Sequence, residues 1–397
     1  MRILITGASG FIGGQVLHAL LAAGHQVVAG VRQPDKFPVR DHCTALAMDF
    51  SRDTKPQHWL PRLHGVDAVV NCVGIIGEDS NQRFEDLHRR GPIALFQACV
   101  QAGVRKVIQI SALGADETAF SRYHLSKKAA DDFLAATGLE WSILQPSMVY
   151  GPGGKSLMLF SALAALPVTP LIGDGRQRLQ PVHVDDLTAA VLRLLEPGAP
   201  NRVKLIVAGP ESVTLAEMLT ALRRWLGRRP APAWPVPFRL VLMAGEIVGS
   251  LVASPLNGEA LRMLQQGNTG DPSELTALLG RPPLSLDTAL TRWPARQAEC
   301  WHAGLLFLRP ALRYALALLW IWSGLTSAWL FPQAESYALL AGIGVTGSAA
   351  PLALYGASAL DVLLGLALLL RYRVKLAGAI QLGLMAVYSL VIGIFLP

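Results

Sequence analysis

Met1-Arg2-Ile3-Leu4-Ile5-Thr6 is an apolar, strand-like run; Gly7-Ala8-Ser9-Gly10-Phe11-Ile12-Gly13-Gly14 follows at once, and Gln15 to Ala23 reads as a helix. Strand, glycine turn and helix in this order make a phosphate cradle. Gly7 permits the tight turn, Gly10 lets the backbone approach a pyrophosphate, and Gly13 lets the helix pack close to the strand. The pyrophosphate then rests on unpaired N–H groups at the helix start, where the helix dipole favours negative charge.

The rhythm continues outward from this stretch. His25 to Val31 reads as a second strand whose tip carries Arg32, with no acid before Asp35. An acid there holds the ribose hydroxyls of NAD, whereas an Arg holds the 2′-phosphate of NADP, so Arg32 favours NADP(H). Ala45 to Phe50 is a short strand ending in an acid, with Asp49 placed to meet an adenine amino group beside Phe50. Val66 to Gly74 is a buried strand whose end, Asn71-Cys72-Val73-Gly74, passes beneath the cofactor. Phe84 to Ala102 makes an amphipathic helix, and Val104 to Ser111 another strand. Strands and helices alternating at these lengths predict an α/β fold, a doubly wound parallel Rossmann sheet with helices on both faces.

Composition bounds the rest. At 397 residues the chain exceeds one average domain. Hydrophobic residues make up 52% and charged ones only 16%, below the usual quarter. The apolar excess lies from Tyr314 onward. The net charge of +7 comes from Lys and Arg spread along the chain without a dense basic run, which argues against nucleic acid. Cys43, Cys72, Cys99 and Cys300 form no C-x-x-C pair, so neither a disulfide framework nor a metal site is expected, and reduced cytoplasmic thiols fit. The N-terminus lacks the apolar core of a signal peptide, which places the nucleotide domain in the cytoplasm.

In such a sheet the chemistry lies at the carboxyl ends of the strands, and Ser111 ends one of them. Tyr123 and Lys127, four apart at the start of a helix running to about Ala136, share one helical face. A nearby ammonium lowers a phenol from its ordinary pKa near 10, and a serine hydroxyl beside it holds a carbonyl oxygen. His183 reads as structural, because Asp185 and Asp186 look like the cap of a helix from Leu187 to Leu195. His124, next to the Tyr, receives no role.

The glycine loop, the Ser111, Tyr123, Lys127 set, Gln145-Pro146-Ser147-Met148-Val149-Tyr150-Gly151-Pro152 and Gln180-Pro-Val-His183-Val-Asp185-Asp186 together resemble an extended or atypical short-chain dehydrogenase/reductase. Ile110-Ser111-Ala-Leu-Gly114-Ala-Asp116 and Leu256-Asn257 with Leu261-Arg-Met-Leu264 are similar to its NDUFA-nine-like branch. The resemblance spans residues 1 to about 295. It implies that Tyr123 exchanges a proton with the substrate, Lys127 holds the nicotinamide ribose and lowers the Tyr pKa, and Ser111 orients the carbonyl. Ser9, Phe11, Ile12, Asp49, Phe50, Val73, Gly74 and Pro146 join Gly7, Gly10, Gly13, Arg32, Tyr123 and Lys127 as cofactor contacts. The superfamily's helix Asn has no equivalent: Asn81 lies in a loop and Asn71 in the cofactor turn. The branch also includes members kept for structure, with nucleotide bound and no turnover.

Residues 151–296 form a smaller substrate lobe. Thr214 with Glu217 reads as a capping box opening a helix to Leu226, and Phe238 to Val252 is an apolar helix, buried or interfacial. A greasy lobe invites a quinone, isoprenoid or lipid ketone as substrate. From residue 305 the chain resembles the DoxX-like membrane family, in Gly324, Trp329, Leu360-Asp361 and Gly365. Residues 314–331, 351–370 and 376–396 are long enough to cross a bilayer, and 337–350 is a short re-entrant or fourth segment. Arg371, Arg373 and Lys375 fall inside with Arg309 and Arg313 if three segments cross. Asp361, an acid within a span, is a functional candidate against the alternative of a polar contact between helices.

These readings converge on a multi-pass protein of the inner (cytoplasmic) membrane, in contact with lipid, that transfers hydride between NADP(H) and a carbonyl or alcohol carbon. Association with a respiratory or redox complex follows from the DoxX-like resemblance. Two other readings stand beside it: a non-catalytic, nucleotide-binding accessory protein of a membrane redox complex, and a sugar-nucleotide epimerase or dehydratase.

Overall fold

The structure is a computed structural model and describes residues 1–79, 81–243 and 258–395. Met1–Ala303 form one compact unit and Gly304–Pro397 a second.

The first unit is built on seven strands: β1 (Arg2–Thr6), β2 (Gln26–Val31), β3 (Cys43–Ala47), β4 (Ala68–Asn71), β5 (Lys106–Ile110), β6 (Glu140–Pro146) and β7 (Val203–Val207). Their order is β7-β6-β5-β4-β1-β2-β3, and every pairing is parallel. Successive side chains point to opposite faces, so β1 feeds two cores at once. Ile3 and Ile5 join Val16, Leu17 and Leu20 of helix α1 (Phe11–Ala22) and Leu187, Val191 and Leu194 of the helix Val184–Leu195. Leu4 faces the other way, toward Leu95, Phe96 and Cys99 of α2 (Gly91–Ala102) and Ala130 and Leu134 of α3 (Arg122–Ala135). The doubly wound parallel sheet is the expected one.

Strand order reverses between β1 and β4, and the crevice this opens is where such sheets bind ligands. The loops that leave these two strands touch. Gly7 takes φ +69°, a conformation that favours glycine, and a Cβ on it would lie 3.1 Å from the Cys72 carbonyl oxygen. A Cβ on Gly13 would run into the carbonyl oxygen of Gly7, so only glycine lets α1 start this close to β1.

Several local expectations shift. The first helix begins at Phe11 rather than Gln15, because Gly10 already serves as its N-cap. The helix expected from Phe84 is in two pieces, a π-helical turn Glu85–Arg90 and then α2. The third strand stops at Ala47, leaving Asp49 and Phe50 in the turn beyond it.

The second lobe has its own core, with Leu157, Phe160, Met218, Leu219, Leu222, Leu261 and Leu290. The Thr214–Glu217 capping box is present, each side chain bonded to the other's backbone N–H. The cap expected from Asp185 and Asp186 is instead His183, whose Nδ1 accepts from the Asp185 N–H at 3.3 Å. Asp186 is fully buried and pairs with Arg281 at 2.7 Å. Residues 238–243 are helical, whereas 244–252 and the Leu256-Asn257 motif lie outside the described residues.

The second unit is helical. Leu308–Leu325 continues as a π-helical turn Thr326–Leu330, and Gln333–Gly342, Ala349–Leu369 and Val374–Phe395 follow. Ala349–Leu369 and Val374–Phe395 are long and apolar enough to cross a membrane, and the broken pair Gln297–Leu305 with Leu308–Leu330 makes a third if counted as one. The short segment expected at 337–350 is a ten-residue helix, Gln333–Gly342, followed by a turn. Leu308–Leu325 and Ala349–Leu369 pack through glycines: a Cβ on Gly324 would lie 2.5 Å from the Ser358 oxygen, and one on Gly365 would lie 2.7 Å from the Ala317 oxygen. Val374–Phe395 buries Ala377 and Gln381 and leaves Leu382, Met385, Leu390 and Ile394 exposed.

Candidate active site

Strand ends and one helix assemble the site. β5 delivers Ser111, and α3 starts after Ser121, whose hydroxyl accepts from the His124 N–H. The Glu259 carboxylate takes the Tyr123 N–H at 2.8 Å, and Arg122 pairs with Glu78 at 2.9 Å. An acid at this position also complements the helix dipole.

Tyr123 is ringed by aromatic side chains. Its ring meets Phe84, His88 and His124 edge-on at 5.9, 5.3 and 5.2 Å between centroids. Part of the residue touches solvent, but the phenol is deep among its neighbours. Burial, reinforced by the Asp131 charge, pushes its pKa up to about 12. The sequence leads one to expect the opposite. The reason lies in Lys127: its ammonium donates to the carbonyl oxygens of Ile110 at 3.0 Å and Val73 at 3.3 Å instead of turning to the phenol. Burial brings Lys127 itself down to about 8, opposed by the nearby Asp131 and Cys72.

Lys127 nonetheless lies at the strand ends beside the crevice. It stitches the ends of β4 and β5 together, and a Cβ on Gly74 would lie 3.1 Å from its Nζ. Gly74 is therefore a place of close approach, open to solvent on its other side. Asn71 is held beneath it, accepting from the Thr6 hydroxyl at 2.5 Å and donating to Gln109 at 2.7 Å. With the contacts at Gly7 and Gly13, this is the cradle a dinucleotide fits. At its other end Arg32 is exposed at the tip of β2, with no acidic partner among the described residues. Asp49 is already engaged: its Oδ1 accepts from the Ser51 N–H at 3.0 Å and hydroxyl at 2.7 Å. Phe50 packs edge-on against Trp59, in the core rather than the cleft. Pro146 ends β6.

Two residues escaped the sequence reading. His88, on the π-helical turn, is buried beside Tyr123. Its Nε2 accepts from the Ile75 N–H at 3.0 Å, so the neutral ring carries its proton on Nδ1 and donates to Ser126 Oγ at 3.0 Å. Ser126 in turn donates to the Tyr123 carbonyl oxygen at 2.7 Å. Burial, and then the Lys127 charge, hold the His88 pKa well below the ordinary value. Asp131 is the second. Its carboxyl is hydrogen-bonded to the Ser111 hydroxyl, and it lies four residues beyond Lys127 on the same face of α3.

The second lobe encloses a cavity of about 520 Å³ between Leu157, Met158, Trp225, Leu290 and Trp293. Gly154, on its wall, would set a Cβ 3.1 Å from the Phe11 ring, so cavity and glycine loop share a partition.

Comparison with known proteins agrees with this architecture. A family model described as NAD(P)H-binding matches residues 7–159, and one described as DoxX-like matches 317–397. Ceramide reductase from Caulobacter vibrioides is 28% identical over 249 residues, 62% of this chain and 77% of that protein. The mitochondrial NADH dehydrogenase 1 alpha subcomplex subunit 9 from Arabidopsis thaliana is 29% identical over 235 residues, 56% of this chain; the match spans 58% of that protein's length. Among solved structures, the NADPH-dependent quinone oxidoreductase of Escherichia coli, complexed with NADPH, has a TM-score of 0.59 at 22% identity, over 73% of this chain and 99% of its own. Sugar-nucleotide epimerases and a dehydratase share the fold as well. One chain therefore carries an NAD(P)H-binding match over residues 7–159 and a DoxX-like match over residues 317–397.

Proposed function

We propose that this protein is a membrane-held, NADP(H)-dependent oxidoreductase acting on a carbonyl or alcohol carbon of an apolar substrate. The observation that carries the reading is Lys127 bonded to the ends of β4 and β5 with its ammonium against Gly74, while Ser111 follows β5 and Tyr123 lies one turn before Lys127 on α3. The bound nucleotide supplies or takes up the hydride. Lys127 holds the ribose with the hydrogen its two carbonyl partners leave over, and Tyr123 exchanges a proton with the substrate oxygen. Arg32 selects the 2′-phosphate. The apolar cavity behind Gly154 supports an apolar substrate, as does the similarity to a ceramide reductase. In this reading the long apolar helices cross the inner membrane three times and keep the nucleotide domain on its cytoplasmic side.

One observation favours a non-catalytic accessory role instead: Lys127 is turned from a phenol raised to about 12, and a NADH dehydrogenase subunit is among the relatives. Tyr123→Phe separates the two. The enzyme reading expects NADPH oxidation, screened with quinones and long-chain ketones, to fall by about 10²- to 10⁴-fold while nucleotide affinity holds. Equal turnover in variant and wild type, with nucleotide still bound, leaves only the accessory role.

A further inference from the structure

The least expected group in the first unit is Asp131. It is fully buried, and one carboxyl oxygen meets the Ser111 hydroxyl while the other has no hydrogen-bond partner. Among the described residues it forms no ion pair, because Lys127, one turn before it, gives its ammonium to Val73 and Ile110. A carboxylate has about four acceptor sites. One filled by a single hydroxyl, out of water and without a cation in contact, is an unstable arrangement that a proton relieves.

We propose that Asp131 is a proton-holding positioning residue, protonated when the site is ready and donating to Ser111 Oγ, so that the Ser111 hydroxyl is free to donate to an oxygen in the cleft. The assignment reverses the ordinary sense of this hydrogen bond. With Asp131 ionised, Ser111 must spend its only proton on the carboxylate and can only accept from a ligand. With Asp131 neutral, Ser111 becomes a donor, as holding a substrate carbonyl requires. A proton can then move along the pair: the Ser111 O–H breaks as an O–H forms on the ligand oxygen, and the Asp131 O–H breaks as Ser111 is restored. The net result is one carboxylate and one protonated ligand oxygen, with no change in oxidation state.

The surroundings agree. Burial raises the carboxyl to about 7, opposed by the Ser111 bond and the Lys127 and Lys204 charges and aided by Asp132. Those groups, with Tyr123 on the same helix, are the charged and titratable neighbours that face it: Lys127 and Asp132 from α3, and Lys204 from β7. The role at the substrate rests on the oxidoreductase reading, but the proton on Asp131 does not.

The experiment is carboxyl infrared spectroscopy on the full chain in detergent, with ¹³C-labelled aspartate and Asp361→Asn as background to remove the other buried aspartate that, among the described residues, has no arginine partner. The expected result is a protonated-carboxyl band at pH 6 that disappears as pH rises through about 7 and is absent in Asp131→Asn. Ser111→Ala should move that titration to higher pH, and Ser111→Thr should restore it. A spectrum without the band at pH 6, or a band unchanged by Ser111→Ala, overturns the proposal, and neither result depends on Asp131→Asn folding. A second arm follows NADPH oxidation by 1,4-naphthoquinone. The proposal expects a wild-type rate that falls above about pH 7 and an Asp131→Asn rate that is lower but lacks this limb. An Asp131→Asn profile that keeps the limb counts against the proposal. No oxidation by the wild type counts against the reductase reading alone, and the spectra still decide the proton.

Discussion

Asp131 and Asp361 are the same local device in two regions. Each is a buried acid on a helix, each takes a serine hydroxyl on one oxygen, Ser111 for the first and Ser323 at 3.2 Å for the second, and each leaves its other oxygen without a partner. Only Asp361 stands beside a glycine contact, at Gly324, where a Cβ would meet the Ser358 backbone oxygen. Their settings differ. Asp131 borders a cleft with Lys127 and Tyr123 nearby, so its proton has somewhere to go. Asp361 lies in the contact between two apolar helices, its Cβ 3.2 Å from where a Cβ on Gly324 would be, in a unit whose outer faces are leucine and isoleucine. A buried acid is a functional statement only when its surroundings give the proton a path.

The largest expected effect tests this contrast directly. Raising a carboxyl from 3.8 to about 7 costs its charged form roughly 4 kcal/mol. The folded state binds the Asp131 proton more tightly than the unfolded chain, so this contribution is complete below about 3.8 and is lost as pH rises to about 7. Hydrogen exchange at β5 amides should show the sheet weakening across that window in the wild type and staying level in Asp131→Asn, which becomes the more stable protein at pH 8. A wild type with no slope there would mean that Asp131 is ionised throughout.

Next come the glycines. Gly13→Val drives a branched side chain into the Gly7 carbonyl and should lower nucleotide affinity at least a hundredfold by calorimetry, about 2.7 kcal/mol. Gly365→Val, whose Cβ would meet Ile321 at 2.6 Å, should destabilise the helical unit by about 2 kcal/mol and leave nucleotide affinity within twofold. Lost nucleotide binding in Gly365→Val would show the two regions to be energetically one.

What could be read beforehand follows the same divide. Asp361 interrupts an apolar run and is visible to any reader of the sequence. Asp131 sits in Lys-Lys-Ala-Ala-Asp-Asp, where acids are ordinary, and only the i, i+4 step from Lys127 marks which of the pair turns inward. His88 left no signal, because the π-helical turn that carries it inward changes the angular step on which helical patterns depend. The glycine loop, the alternation of strands and helices, and the Tyr–Lys face were legible because each rests on local backbone rules. The direction of the Lys127 ammonium was not, since it depends on carbonyls 17 and 54 residues away.

The smallest effect bears on the cofactor. Arg32 is exposed and has no acidic partner among the described residues, so its guanidinium is available to a 2′-phosphate at the β2 tip. A solvated pair of this kind contributes modestly. Arg32→Ala should therefore weaken NADPH about tenfold, near 1.4 kcal/mol, and change NADH by less than twofold. The effect should shrink as salt is raised, because an exposed ion pair is screened. The Asp49 Oδ1 is already taken by the Ser51 N–H and hydroxyl, so Asp49 is poorly placed to hold the ribose hydroxyls in its stead. A wild type that prefers NADH, or a variant equally weakened toward both nucleotides, would move Arg32 from selecting the cofactor to shaping the loop.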